Sequence, residues 1–352
     1  MRITAVGKAF PSNYYDQDTL LEAFRDHWGK RHHNLGRLEK LHKAVLVGGR
    51  HLALTIEQYN ALETWGQAND HWIRVAMEVG EAAVRDAIEL AGISLDQVGA
   101  IFFVTVTGVA TPSIEARLFN RLDMPPNVKR VPIFGLGCVA GAAGISRAAD
   151  YVKAYPDQVA LLLSVELCSL TLQRDDLSVP NLISSGLFGD GAACAVICGS
   201  EVPQRGQEGP EVLATRSVFY PDTERVMGWD ISERGFKIVL SAGVPQVVEE
   251  HLRPDVDAFL GEQDLSLEDI ESYVCHPGGP KVLLAFEKAL DQPREAFELT
   301  WRSLAEVGNL SSSSVLMVLR DTMEQRRPRA GSLGLMLAMG PGFCSELVLL
   351  RW

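Results

Sequence analysis

Two kinds of hydrophobic pattern run along the chain, and one gives way to the other near residue 100. Before that point apolar residues recur at helical spacing, with Leu20, Leu21, Phe24 and Trp28 on one face of residues 16–28. A longer pattern over residues 70–91 aligns Val75, Val79, Ala82, Val84, Ala87 and Ile88, and Gly92 supplies a stop signal. The first hundred residues therefore read as mostly helical. Beyond them, continuous β-branched and aromatic runs at 100–107, 128–134, 159–166 and 192–198 alternate with helical patterns at 113–122 and 139–153. Such alternation predicts an α/β fold around a largely buried sheet. The polar, turn-rich stretch 199–209 reads as a connection between two halves.

The second half echoes the first. Cys138 follows the strand start near Ile101 by 37 residues, and Asn309 follows the strand start near Ser272 by 37. Each is succeeded by a helical segment (139–153 and 311–326), an apolar strand (160–165 and 333–339) and a closing strand (192–198 and 346–350). The period is too long for a solenoid, so one α/β unit is duplicated, with halves at 1–200 and 201–352. Duplication puts Cys138 and Asn309 at equivalent strand-to-helix turns, at the carboxyl ends of strands, where open α/β sheets hold ligands.

Composition narrows the class. Hydrophobic residues make up 47% and charged residues 22%, which suits a sizeable core and excludes strong disorder. No apolar run approaches the ~18 residues of a membrane span. The start, MRITAVGK, lacks the apolar stretch of a secretory leader, and six cysteines in 352 residues are too few for a disulfide scaffold. Both features point to a reducing, cytoplasmic compartment. The net charge of −12 argues against general nucleic-acid binding, while a local basic patch for an anionic substrate stays compatible with it.

The cysteines then pose a chemical question. Cys138 lies in FGLGCVAGAAG, where a helix should begin; a helix N-terminus favours a thiolate and lowers a thiol pKa. The surrounding glycines would let an acyl thioester approach the sulfur, and free backbone N–H groups would bind an oxyanion. The bland alternative is a small buried cysteine in a packed turn. Cys168, Cys194, Cys198, Cys275 and Cys344 sit in strands or at their ends; for Cys194 and Cys198, core packing is favoured over a zinc site. A competing pattern, Gly135, Gly137 and Gly141 with Glu166 as a ribose acid, loosely mimics a dinucleotide fingerprint, but its spacing is wrong for G-x-G-x-x-G.

His276, in YVCHPGGPK, is the one histidine of eight at a strand's carboxyl end beside two glycines, a setting for a base or an oxyanion donor. His32 and His33 fall in a charged, solvated stretch. Asn309, in VGNLSSSS, taken alone reads as a helix N-cap. Together Cys138, His276 and Asn309 suit acyl transfer. The imidazole would help generate the thiolate, and His276 with Asn309 would hydrogen-bond the oxygen of a second thioester as it becomes an enolate. Decarboxylation of a malonyl thioester supplies that carbanion without a strong base.

At this point the chain closely resembles the type III polyketide synthases of the chalcone/stilbene synthase superfamily, in its bacterial branch. The resemblance spans nearly the whole length and rests on GCVAGAAG at Cys138, LFGDGAA at 187–193, HPGGPKVL at 276–283, GNLSSSS at 308–314 and GPGF at 340–343. It implies a thiolase-like duplicated αβαβα sandwich and a homodimer. It implies CoA thioesters as substrates, acyl-CoA and malonyl-CoA, with no further cofactor and no metal. Cys138, His276 and Asn309 match the catalytic triad, and Phe188 the gatekeeper phenylalanine. Gly340, Pro341 and Gly342 match the loop shaping the active-site floor. Thr111 falls where an interface loop reaches the partner's cavity.

Departures from the plant enzymes bear on the product. Trp229 replaces a glycine and Cys168 a threonine, while Thr171 and Ser311 keep polar positions of the cavity wall. ATPSIEARL and SVELCSLTLQ look like bacterial relatives that take fatty acyl-CoA starters and release alkylpyrones or alkylresorcinols. Tetrahydroxynaphthalene synthases also carry ELCSLT, so a malonyl-only starter is the alternative. Lys40, Lys43 and Arg50 form a basic group that would hold CoA phosphates, or else a solvated helix face. A ketoacyl-ACP synthase III-like initiator shares the triad but usually shows an HQAN-type histidine motif, where HPGG stands here.

Overall fold

The computed structural model describes residues 1–28, 35–203 and 209–352; His32 and His33 lie outside the described residues. In chain order the strands are β1 (Arg2–Ala9), β2 (Asn13–Asp16), β3 (Gly49–Leu52), β4 (Val98–Thr105), β5 (Lys129–Phe134), β6 (Val159–Leu167), β7 (Asp190–Cys198), β8 (Glu211–Phe219), β9 (Met227–Ser232), β10 (Gly235–Leu240), β11 (Ile270–Cys275), β12 (Leu333–Gly340) and β13 (Cys344–Arg351). The helices are α1 (Gln17–Trp28), α2 (Leu35–Ala44), α3 (Ile56–Ala61), α4 (Trp65–Ala91), α5 (Ile114–Leu122), α6 (Ala140–Ala154), α7 (Val179–Leu187), α8 (Val244–Gly261), α9 (Pro280–Leu290), α10 (Glu298–Val307) and α11 (Ser312–Gln325).

The expected alternation is present, and the duplication is visible in the pairing. One nine-stranded sheet runs β11-β12-β13-β8-β1-β7-β6-β4-β5. In the first half β4 is parallel to β6, β6 antiparallel to β7, and β7 antiparallel to β1. In the second, β11, β12, β13 and β8 repeat that series. The halves join through the Arg2–Glu211 pairing of β1 with β8. The symmetry is broken at β5, whose counterpart near Asn309 makes only an isolated parallel bridge to Phe188.

Three apolar layers hold this arrangement. Helices α6 and α11 form the middle one, packing Ala142, Ile145, Val315 and Leu319 against Leu162, Ala195, Met336 and Val348 of the two half-sheets. Helix α4 covers the outer face of the first half, and α8 with α9 the outer face of the second. The layers therefore follow the order αβαβα, the thiolase-like sandwich. Strands β6 and β7 are buried along their whole length, which explains their unbroken apolar runs.

The N-terminal region departs from its helical expectation. Strand β1 lies at the centre of the sheet, and β2 pairs with β3 in a small separate ladder. Arg2, Thr4 and Lys8 interrupt the apolar run of β1 and conceal it from a periodicity reading. Helix α4 ends at Gly92 as expected, with that glycine left-handed at φ 62°. It begins earlier than residue 70 because Thr64 and Gln67 form a capping box. Among the described residues no helix is long and apolar enough to cross a membrane.

Candidate active site

Cys138 occupies a 3-10 turn, Gly137–Val139, between β5 and α6, so it stands at the N-terminal end of a helix as expected. The helix has no side-chain cap there, which leaves its first N–H groups for another acceptor. Some of the glycines around it also serve packing. A Cβ at Gly141 would fall 2.4 Å from the Ser312 carbonyl oxygen, so this glycine lets α6 approach α11. The loop after β12 closes over the turn: a Cβ at Gly340 would lie 3.3 Å from Cys138 Cβ, and Pro341 packs on Gly137.

The thiol donates to Ser311 Oγ at 3.8 Å. Ser311 has φ 48°, a left-handed conformation uncommon for a residue with a side chain. Its N–H donates to Asn309 Oδ1 at 2.8 Å, and Asn309 Nδ2 donates to the Gly278 carbonyl at 3.3 Å. Asn309 thus folds its own loop without being the helix N-cap, which is Ser311, and keeps one amide hydrogen for another acceptor. Gly278 lies two residues beyond His276, whose N–H extends the β11–β12 ladder to the Leu337 carbonyl at 3.0 Å. Pro277, lacking an N–H, ends that strand. His276 is 2% exposed and both imidazole nitrogens lack a hydrogen-bond partner among the described residues. A buried imidazole without partners costs stability, and sites of that kind concentrate where chemistry is done.

Electrostatics correct one expectation. Burial, aided by the nearby Glu166, pushes the Cys138 thiol up to about 12 against the opposing effect of the Ser311 hydrogen bond. Burial alone draws His276 down to about 3. Desolvation thus favours the neutral thiol and the neutral imidazole and opposes the effect of the helix terminus. Glu166 is no ribose acid. Fully buried at the end of β6, it accepts from Val106 N at 3.1 Å, Thr107 Oγ1 at 2.9 Å and Ser312 Oγ. Burial exceeds the effect of these donors and raises it to about 7. The sequence signal that could have found it was ELC at the carboxyl end of a wholly apolar strand.

A cavity of about 880 Å³ adjoins this constellation. Cys168, Thr171, Phe188 and Trp229 line it, as the resemblance implied, whereas Cys138, His276, Asn309 and Ser311 do not. Thr171 Oγ1 donates to the Cys168 carbonyl at 2.7 Å within one 3-10 turn, and Trp229 faces Phe236 at 5.9 Å between ring centroids. Phe188 belongs to both regions. It lines the cavity, and its main chain is bracketed by Asn309 N–H donating to Leu187 O at 2.9 Å and Gly189 N–H donating to Asn309 O at 3.0 Å.

Of the basic residues, Arg50 lines the cavity from its inner side, whereas Lys40 and Lys43 do not line it. Arg50 lies on β3 and is buried, donating to the carbonyls of Ser185 at 2.6 Å and Phe188 at 2.9 Å, so it is no surface ligand for phosphate. Lys40 and Lys43 are exposed on α2, and Lys43 pairs with Glu39 at 2.7 Å. The three do not form one basic group. Thr111 is exposed in the turn between β4 and α5, and the cavity it was expected to reach is a partner's rather than this chain's own. Of the cysteines outside the site, Cys194, Cys198 and Cys275 are core, but Cys344 is partly exposed, donating to the Pro341 carbonyl at 3.2 Å.

A thiol at a helix N-terminus, an unpartnered imidazole and an asparagine amide, carried by both halves of a thiolase-like sandwich, define a class of acyl-transferring condensing enzymes. The chalcone and stilbene synthase family models match here, the N-terminal domain over residues 1–202 and the C-terminal domain over 211–352. A 1,3,6,8-tetrahydroxynaphthalene synthase of Streptomyces peucetius subsp. caesius is 49% identical over 99% of this chain and 93% of its own length. A phloroglucinol synthase of Pseudomonas fluorescens is 30% identical over 97% of each chain. The crystal structure of a 1,3,6,8-tetrahydroxynaphthalene synthase from Streptomyces coelicolor A3(2), a bacterial type III polyketide synthase, superposes with a TM-score of 0.94 at 31% identity, covering 100% of this chain and 99% of that one. The chain belongs to the chalcone and stilbene synthase family and is a type III polyketide synthase.

Proposed function

We propose that this polyketide synthase condenses malonyl-CoA units alone into an aromatic product, as a tetrahydroxynaphthalene synthase does. The observation that carries this reading is the 49% identity to such an enzyme across nearly the full length of both chains. The cavity wall agrees with it: Cys168, Ser169, Thr171, Ser184 and Ser185 offer polar groups suited to a chain of alternating ketones.

In this mechanism Cys138 attacks the starter thioester while His276 takes its proton, and CoA leaves as the thiol. With both groups neutral at rest, the proton moves during attack rather than before it. A malonyl thioester then enters. Its carboxylate departs as CO2, and its thioester oxygen gains negative charge between His276 and the second amide hydrogen of Asn309. The enolate carbon attacks the acyl group on Cys138, which expels the thiolate and lengthens the chain. Phe188 divides this step from the cavity, where the chain folds and cyclises against Trp229 and Thr171.

A second reading, a fatty acyl-CoA starter closing to an alkylpyrone or alkylresorcinol, is favoured by the apolar part of the cavity, Leu20, Phe24, Ile56, Leu62 and Trp65. Product mass spectrometry with malonyl-CoA alone and with acyl-CoAs of graded length separates the two. A product from malonyl-CoA alone supports the first; turnover only when an acyl-CoA is supplied overturns it. The enzyme acts as a cytoplasmic homodimer in this account, with β5 as the partner face: it is one of the sheet's two edge strands, and Phe134 at its end is 49% exposed.

A further inference from the structure

We propose that Arg50 is a positioning residue for the condensation step, holding Asn309 and Phe188 in register from beneath; the assignment rests on the triad roles given above. Arg50 approaches both strands of the bridge that joins the two regions of the site. One guanidinium nitrogen donates to Ser185 O and Phe188 O, the last carbonyls of α7. A cation there satisfies groups the helix cannot and opposes its C-terminal partial charge.

The aliphatic stem does the rest. A Cβ at Gly308 would lie 3.2 Å from Arg50 Cγ and Cδ, and one at Gly189 3.4 Å from Arg50 Cβ. The two backbones flanking the Asn309 bridge therefore rest on one side chain. The nearby charge of Asp190, also fully buried, favours the cation, and Asp190 accepts from Ala53 N at 2.6 Å and Ser169 N at 2.8 Å. Ala53 follows β3, which carries Arg50, and Ser169 belongs to the turn that carries Cys168 and Thr171. Two buried charges, one cationic and one acidic, thus anchor the Asn309 bridge, the Phe188 wall and the Cys168 turn. Burial lowers the guanidinium to about 10, still a cation at neutral pH. A buried charge of this kind does little for net stability against an apolar replacement, and its presence is better explained by specifying geometry.

The hydrogen bonds of Arg50 and Asp190 go to the Ser185, Phe188, Ala53 and Ser169 segments and not to the Cys138 turn, which the cluster reaches through Asn309 and Ser311. Arg50 should therefore govern condensation far more than loading. The test measures two half-reactions on Arg50→Met and Arg50→Lys. Cys138 acylation is followed by intact mass, and CO2 release from malonyl-CoA follows condensation. The expected result is acylation within about twofold of wild type and condensation slower by about tenfold or more in Arg50→Met. Arg50→Lys should recover part of that loss, since an ammonium reaches both carbonyls. Equal falls in both half-reactions, or unchanged condensation in folded Arg50→Met, overturn the proposal. If Arg50→Met does not fold, the same split is read in Arg50→Lys, where condensation should fall by about threefold with loading intact; no split there overturns the proposal. Wild-type protein that never acylates Cys138 would instead sink the condensing mechanism itself.

Discussion

Ser312, the first residue of α11, donates its hydroxyl to Glu166 at the end of β6, so the two halves of the duplicated fold meet in a buried polar contact beside the Cys138 thiol. The same carboxyl raises that thiol's pKa. Catalytic groups from the two halves are registered through this contact, because α11 also follows directly on Asn309 and Ser311.

Glu166→Gln should therefore change two pH-dependent properties. The folded carboxyl titrates near 7 rather than the ordinary 4.5, so its contribution to stability is full below about 4.5 and lost as pH rises through 7. The whole shift is worth about 3 kcal/mol. The stability of the variant relative to wild type should rise between pH 5 and pH 8, read as the difference in melting temperature across that window. A pH-independent difference contradicts the assignment. At pH 8 iodoacetamide should also alkylate Cys138 several-fold faster in the variant, since a neighbouring negative charge is gone.

Gly308→Ala tests the bridge. Gly308 has φ 76°, and an added Cβ would sit 2.6 Å from the Leu187 carbonyl oxygen. The backbone beside Asn309 must move, at a cost of about 1–3 kcal/mol in denaturant unfolding. Malonyl decarboxylation should fall by more than stability does. Unchanged decarboxylation would mean that the placement of Asn309 does not limit the reaction.

Trp229→Gly tests the cavity. The indole lines it and packs against Phe236. Removing it should lengthen or re-route the products seen by mass spectrometry while Cys138 loading stays within about twofold. An unchanged product profile would show that this wall does not shape cyclisation.

Much of this was legible in the sequence. The strands after residue 98 read clearly because they are buried on both faces, and Cys138, His276 and Asn309 stood out because each sits at the end of an element where glycines or serines cluster. Three things did not read. Strand β1 carries Arg2, Thr4 and Lys8 in a central position, and periodicity passes over such a mixed run. Arg50 looked like a surface charge because its partners are two backbone carbonyls and an aspartate 140 residues away, and pairing at that distance leaves no local pattern. The state of the Cys138 thiol failed for another reason. A helix N-terminus is visible in sequence, but the depth of burial that opposes it is a property of the closed Gly340–Gly342 loop and the α6–α11 contact.

The most direct test supplies carbon-labelled malonyl-CoA as the only thioester and follows Cys138 by peptide mass, CO2 release and product label together. The account predicts an acyl adduct on Cys138, CO2 released with each extension and an aromatic product labelled throughout. Cys138→Ala should abolish that product, and Cys194→Ala should leave it. A Cys138 that stays unmodified, or product formed by Cys138→Ala, would contradict the account.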